Sequence, residues 1–131
     1  MQGFVDNIEI LTRENTDFRR VLYTGKHLQL VLMALKPGEE IGEEVHDDHD
    51  QFFRVETGAG EIWIDGKRTA IQDDDAMIVP AGARHNVVNT GDAPLTLYTL
   101  YGPPDHKDGI VRATKAEAEA TEEHFDGTTT E

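Results

Sequence analysis

The chain contains no cysteine. That excludes disulfides, thiol catalysis and thiolate metal sites together. Lysine is scarce: Lys26, Lys36, Lys67, Lys107 and Lys115 are all there is. Acidic residues number 26 against 12 basic ones, for a formal net charge of −14. A nucleic-acid surface needs a basic stripe, and none exists here. The same balance opposes an anionic membrane surface. No apolar stretch approaches the roughly 18–20 residues that cross a bilayer. Met1 to Ile10 lacks the charged-then-apolar pattern of a signal peptide, so the expected location is the cytoplasm.

What is present is enough for one globular domain. The 131 residues, 37% of them hydrophobic, can bury a core and are too apolar for a disordered chain. The acidic excess is spread along the whole sequence. Together with the shortage of lysine, it resembles the composition of proteins from salt-accumulating cells.

Short strands separated by turns dominate the middle of the chain. His27 to Leu35 is β-branched and apolar and is ended by Pro37-Gly38. Gln51 to Thr57 closes on Gly58-Ala59-Gly60, and Asp65-Gly66 is a strong hairpin signal between Glu61–Ile64 and Lys67–Ile71. Further turns at Asp73-Asp74-Asp75, Pro80-Ala81-Gly82 and Gly91 to Pro94 separate Ala76–Val79, His85–Val88 and Leu95–Tyr101. This spacing predicts an all-β sandwich or barrel. Alternation places Gln51 and Phe53 on the inner face and Phe52, Arg54 and Glu56 on the other. Leu97, Thr99 and Tyr101 likewise oppose Tyr98 and Leu100. Thr114 with Glu117 three residues on is a capping box, so a short C-terminal helix is expected from Lys115 toward His124, with a frayed end from Gly127. The expected organisation is an N-terminal arm or strand over 1–26, a barrel over 27–104 and a C-terminal strand, helix and tail over 105–131.

Two of the six histidines are well placed for chemistry. Glu44 and His46 are two apart, and on a strand such residues share a face about 7 Å apart. A carboxylate and an imidazole so arranged can chelate one ion. Gln51 opens the next strand after the Asp47–Asp50 turn and can return beside His46. His85 follows the Pro80-Ala81-Gly82 turn and can supply a fourth ligand from another strand. His46 and His49 are three apart, wrong for one strand face. A loop there would offer His46, Asp47, His49 and Asp50 as a different, exposed site. The expectation is instead a solvated turn with His49 at the pocket edge, and His27, His106 and His124 look unremarkable. Arg54 and Arg84 are the only basic residues near these segments, and a sugar phosphate would need a cationic clamp.

The spacing of these residues resembles the two motifs of the cupin family. Gly38, five residues, Glu44, one residue, His46, four residues, Gln51, six residues, Gly58 follows the first. Asp74, five residues, Pro80, one residue, Gly82, two residues, His85, three residues, Asn89 follows the second. Glu44 stands where the first motif usually has His, Gln51 where it usually has Glu, and Asp74 where the second has a turn Gly. The resemblance implies a double-stranded β-helix, a jelly-roll barrel. It also implies one divalent ion (zinc, iron, manganese or nickel) held by Glu44, His46, Gln51 and His85. Two His, one carboxylate and one amide are similar to the set in zinc-dependent mannose-6-phosphate isomerases, with the positions of Gln and Glu exchanged. The implied function is a metal-dependent, isomerase-like enzyme on a small polar carbonyl or sugar-type molecule. An iron(II) oxygenase using the Glu44, His46, His85 triad and a non-catalytic ligand-binding cupin are the alternatives. No catalytic base is identified; His49, Tyr98 and Tyr101 are the candidates. Phe52, Trp63 and the N-terminal arm give surplus apolar material, and a homodimer is expected.

The charge makes a testable demand. The Debye length falls from roughly 30 Å at 0.01 M salt to about 3 Å at 1 M, so salt should relieve repulsion among the surface carboxylates. The melting temperature is expected to rise between about 0.05 M and about 1 M potassium chloride. It should rise even in a metal-free His46→Ala, His85→Ala double variant, where ligation contributes nothing. A flat profile there would show that the acidic excess is tolerated and confers no salt adaptation.

Overall fold

Turn chemistry divides the chain where the sequence says it should. In the computed structural model, which describes residues 1–131, Asp65 and Gly66 both take positive φ, 46° and 83°. This is the conformation that lets a two-residue loop follow the right-handed strand twist. The loop joins β5 (Ala59–Ile64) to β6 (Lys67–Gln72). Asp74, in place of the motif's turn glycine, has φ 70° and holds the entry to β7 (Ala76–Val79). Aspartate is among the few side chains that tolerate this region. Gly58 cannot be replaced so easily: a Cβ there would lie 2.6 Å from the Pro94 carbonyl oxygen.

The remaining strands are β1 (Arg19–Thr24), β2 (Gln29–Leu35), β3 (Glu44–Val45), β4 (Asp50–Thr57), β8 (Arg84–Val88), β9 (Leu95–Gly102) and β10 (Val111–Arg112). All pairings are antiparallel. One sheet has the order β10-β1-β2-β9-β4-β7, the other β3-β8-β5-β6. The two sheets face each other as a jelly-roll sandwich and do not close into one continuous barrel. Between them lies a core of 18 buried residues, including Val31, Met33, Phe53, Val55, Val87, Leu95 and Leu97. The alternation read from sequence is the observed one: Gln51, Phe53 and Val55 point in, as do Leu97, Thr99 and Tyr101. Glu56 departs from it and is buried, next to the register shift between Val55 and Thr57.

The two ends of the chain differ from expectation. The N-terminal segment contains a helix, α1 (Ile8–Glu14), whose first turn is capped by Asn7 Oδ1 accepting from the Ile10 amide at 3.1 Å. Fewer than two turns of mixed polarity carry too weak a periodicity to announce it. The C-terminal helix α2 spans only Lys115–Ala120. Its cap is the expected one, Thr114 Oγ1 accepting from the Glu117 amide at 3.2 Å. Beyond it the chain is fixed rather than frayed. The Thr130 amide donates to the Thr24 carbonyl at 2.9 Å, and Glu131 accepts from the Gly3 amide and Tyr23. His106 and His124 form a β-bridge. Both ends therefore close over one end of the sandwich. No helix is long and apolar enough to cross a membrane.

Trp63 does not form an open apolar patch. Arg68 stacks on its ring with Cζ 4.1 Å from the centre, and its Nε1 donates to Glu61 at 3.0 Å. The apolar outer face lies on the six-stranded sheet instead. There Phe52 and Tyr98 have ring centres 6.2 Å apart, and Ile78 is 68% exposed.

Candidate metal centre

Glu44, His46, Gln51 and His85 come together at the end of the sandwich that the chain termini close. Glu44 and His85 are direct cross-strand partners on β3 and β8. His46 follows β3 immediately, and Gln51 projects from β4 in the opposite sheet. The Glu44 Oε2–His46 Nε2 distance is 2.9 Å. His85 Nε2 and Gln51 Oε1 are 3.2 Å apart. One ligand atom from each of Glu44, His46 and His85 lies within 4.8 Å of the others.

The hydrogen bonds behind this cluster fix which atoms face it. Thr99 Oγ1 donates its proton to the Phe52 carbonyl at 2.8 Å, so toward Gln51 it can only accept. The group 3.0 Å from it must then be the Gln51 amide nitrogen, which turns Oε1 to the centre. On His85, Nδ1 lies 3.1 Å from the Ala83 carbonyl oxygen and therefore carries the ring proton. Its Nε2 is then a bare acceptor facing another acceptor. A proton on Nε2 would relieve the contact. Burial, aided by the charge of His46, holds the His85 imidazolium below its ordinary pKa against the opposing bond to Ala83. Two buried acceptors aimed at each other beside a carboxylate and a second imidazole fit a divalent cation. The donor set suits zinc, iron, manganese or nickel.

Electrostatics support the same assignment. Burial alone would raise the Glu44 carboxyl, but the hydrogen bond to His46 and the charges of His46, Arg19 and His85 bring it below its usual value. Burial would likewise lower His46, yet Glu44, Asp105 and Asp48 raise it. The side chains of this cluster attract positive charge, whether a proton or a metal ion.

Beside the cluster opens a cavity of about 270 Å³, lined among others by Arg19, Glu44, His46, Asp105, His106 and Arg112. Most of this wall went unread in the sequence, because Arg19, Asp105, His106 and Arg112 lie outside the motif core and reach the site only through sheet pairing. β1 and β10 place Arg19 opposite Arg112. The cationic residues near the site are these two, not Arg54 and Arg84. Arg54 pairs with Asp74 at 3.0 Å on the outer face, and Arg84 with Glu43 at 2.8 Å.

His49 also departs from expectation. It is buried, not at a solvated turn, and its ring centre is 4.5 Å from that of His46. Its Nε2 is 3.4 Å from Asp105 Oδ1 but lacks hydrogen-bond geometry. His46, His49 and Asp105 form a second group of ligating atoms within 4.8 Å of one another. His49 packs behind His46 and does not line the cavity. Neither do Tyr98, on the outer face, nor Tyr101, whose hydroxyl is held by His106 Nε2 at 3.2 Å. Burial, then the charges of Glu44 and Asp105, push the Tyr101 hydroxyl far above its ordinary value, so it stays protonated.

Residues 31–101 match the model of a family described as Cupin domain. The chain is 48% identical over 127 residues to the uncharacterized protein YrkC of Bacillus subtilis, covering 92% of this chain and 68% of that protein. A crystal structure of BH2720 from Bacillus halodurans is 47% identical with a TM-score of 0.90, covering 92% of this chain and 96% of that one. The mannose-1-phosphate guanylyltransferase of Escherichia coli is 28% identical over 89 residues, which is 67% of this chain but 19% of that protein.

The cavity wall has a pH signature of its own. Burial first, then the charge of Arg19, push His106 down to about 3 from its ordinary 6.5. Between those values the unfolded chain binds a proton at this position that the native chain does not. The stability contributed by keeping His106 neutral is therefore full above about pH 6.5 and falls as the pH drops through the window. Replacing His106 by Gln should flatten the pH dependence of metal-free unfolding between about pH 4 and 6.5 in urea titrations. An unchanged slope would show that His106 titrates normally.

Proposed function

The chain belongs to the cupin family, and on that premise we propose that it is a metal-dependent enzyme acting on a small polar molecule with adjacent carbonyl and hydroxyl oxygens, isomerase-like in its chemistry. The observation that carries this reading is the pair of opposed buried acceptors, His85 Nε2 and Gln51 Oε1, beside Glu44 and His46. Such a set holds a divalent ion, and the adjoining cavity admits a small molecule to it. When bound, the ion would polarise a substrate oxygen and acidify the neighbouring C–H.

The chain's own residues supply the rest. Glu44, His46, Gln51 and His85 hold the ion. Asp105 is the base. Its Oδ1 stands 3.9 Å from His46 Nδ1 and 3.4 Å from His49 Nε2, and its Oδ2 stands 3.5 Å from His106 Nε2. It faces the cavity without an arginine partner, whereas Glu123 is engaged by Arg112 at 3.4 Å. In this role Asp105 takes a proton from the hydroxyl-bearing carbon beside the carbonyl and returns it to the carbonyl carbon, while the hydroxyl proton passes to the former carbonyl oxygen, so the substrate is isomerised with no net oxidation. Three imidazoles surround the carboxylate without hydrogen-bonding it, so it is free to accept a proton. The likeness to a mannose-1-phosphate guanylyltransferase supports the sugar-type end of this substrate range.

The Glu44, His46, His85 triad also matches the donor set of non-haem iron oxygenases, and metal content separates the two readings. Untagged protein should carry about one divalent ion per chain by elemental analysis, and His46→Ala or His85→Ala should remove most of it. The metal-loaded protein should exchange C–H for C–D in a panel of hydroxy-carbonyl compounds in D2O, read by proton NMR. Asp105→Asn should keep the metal and slow that exchange roughly a hundredfold or more. Iron content with oxygen uptake and no exchange would favour the oxygenase, and absence of metal would leave a ligand-binding module. The homodimer belongs to the same proposal, formed through the outer sheet face around Phe52, Ile78 and Tyr98. Light scattering should give twice the chain mass, and Ile78→Glu should halve it.

A further inference from the structure

Arginines in this acidic chain almost all have a visible partner. Arg13 pairs with Glu9, Arg54 with Glu56 and Asp74, Arg84 with Glu43 and Arg112 with Glu123. Arg68 lies on Trp63. Arg19 is the exception inside a cavity. Like exposed Arg20 it makes no ion pair, its buried Nε has no hydrogen-bond partner (as is also true of the Nε atoms of Arg54 and Arg112, whose guanidinium groups meet carboxylates), and its Cζ stands 5.5 Å from the centre of the Phe18 ring. With 26 acidic side chains available, a half-buried guanidinium left without a carboxylate is out of keeping with the rest of the molecule. Leaving such donors unmet costs free energy that a ligand can recover.

We propose that Arg19 is the carboxylate clamp of the cavity, so that the substrate is a small monoanionic acid with a carbonyl or hydroxyl oxygen next to its carboxylate. The proposal rests on the metal reading above and narrows its substrate from neutral sugars to acids. A guanidinium presents parallel N–H donors that match the two oxygens of one carboxylate. Arg19 lines the same cavity as Glu44 and His46, so a molecule held there by its carboxylate shares the cavity with the centre. Charge count favours a monoanion over a phosphate dianion. The second arginine, Arg112, is occupied by Glu123, and Asp105 opposes further negative charge in the wall. Once a divalent ion sits on Glu44, it offsets the acidic excess of the cavity wall, leaving a single anionic group as the most the wall can take.

Zinc-loaded protein provides the test, with three probes in calorimetric titrations. Pyruvate carries a carboxylate beside a carbonyl, hydroxyacetone keeps the ketone but replaces the carboxylate by a neutral hydroxymethyl group, and inorganic phosphate is a competing anion. Pyruvate should bind about tenfold or more tighter than hydroxyacetone, and Arg19→Gln should abolish that preference. Zinc stoichiometry and the affinity for hydroxyacetone should stay as they are, and Arg68→Gln should change nothing. In the wild type, the Arg19 Nε–H NMR signal, identified by its loss in Arg19→Lys, should shift on adding pyruvate and not on adding hydroxyacetone. A preference for pyruvate that survives Arg19→Gln, equal binding of the two ketones, or an Arg19 signal indifferent to saturating pyruvate would each overturn the clamp. Phosphate binding tighter than pyruvate would overturn the carboxylate assignment. A chain that takes up no zinc would overturn the metal reading and this proposal with it. Zinc uptake without discrimination would overturn this proposal alone.

Discussion

The hydroxyl of Thr99 has one proton, and it goes to the Phe52 carbonyl. Much of the site follows from that commitment. Thr99 must accept from Gln51, Gln51 must turn its oxygen inward, and His85, with its own proton held by Ala83, must meet that oxygen with a bare nitrogen. The chain of donors leaves no hydrogen for the last contact. Buried acceptors that face each other across 3.2 Å raise the energy of the metal-free state, and a cation between them removes the penalty. The fit to a cation is thus built from neutral hydrogen bonds between buried side chains, and the carboxylate adds charge to a geometry already set.

The candidate metal ligands and the cavity have different origins in the chain. Glu44, His46, Gln51 and His85 come from β3, the turn after it, β4 and β8, all in the middle of the chain. Arg19 and Arg112 come from strands β1 and β10, which pair at the edge of the larger sheet. Asp105 and His106 follow β9, and His124 bridges to His106. The terminal segments are thereby drawn over one end of the sandwich. The division is one of position: the cluster sits on the sandwich strands, and the closing segments supply most of the cavity wall beside it. Sandwiches that share the ligand strands can therefore act on different molecules if their ends differ.

That division also explains what was legible in the sequence. Strands with turn residues at both ends, such as β5 and β6 around Asp65-Gly66, could be read because local sterics decide them. The inward parity of Gln51 and Phe53 could be read because a strand alternates strictly, as could the opposition of Leu97, Thr99 and Tyr101 to Tyr98 and Leu100. The ligand cluster followed from spacing on those strands. Arg19 could not be found this way, since its place in the cavity depends on β1 pairing with β10, some ninety residues away along the chain. His49 was misjudged for a related reason. The turn after β3 folds inward, with Asp105 from the segment after β9 close to its ring. The short helix α1 was hidden because fewer than two turns give no periodicity to detect.

The exchange of Glu and Gln within the ligand set has a physical sense in this structure. The position opposite His85 on β4 is among the most enclosed in the site, and Gln51 there is only 3% exposed. A carboxylate at that depth would bear a large desolvation cost whenever the metal was absent. The Glu44 side chain, by contrast, is 32% exposed at the cavity wall, beside His46 and within the field of Arg19. Placing the charge at the wetter position and the neutral amide at the drier one keeps the same donors while lowering the cost of the empty state. It also turns the one formal negative charge of the cluster toward the cavity, on the wall that also carries Arg19. The neutral Gln51 then lets the Thr99 hydrogen bond set its orientation, which a carboxylate with two equivalent oxygens could not have done.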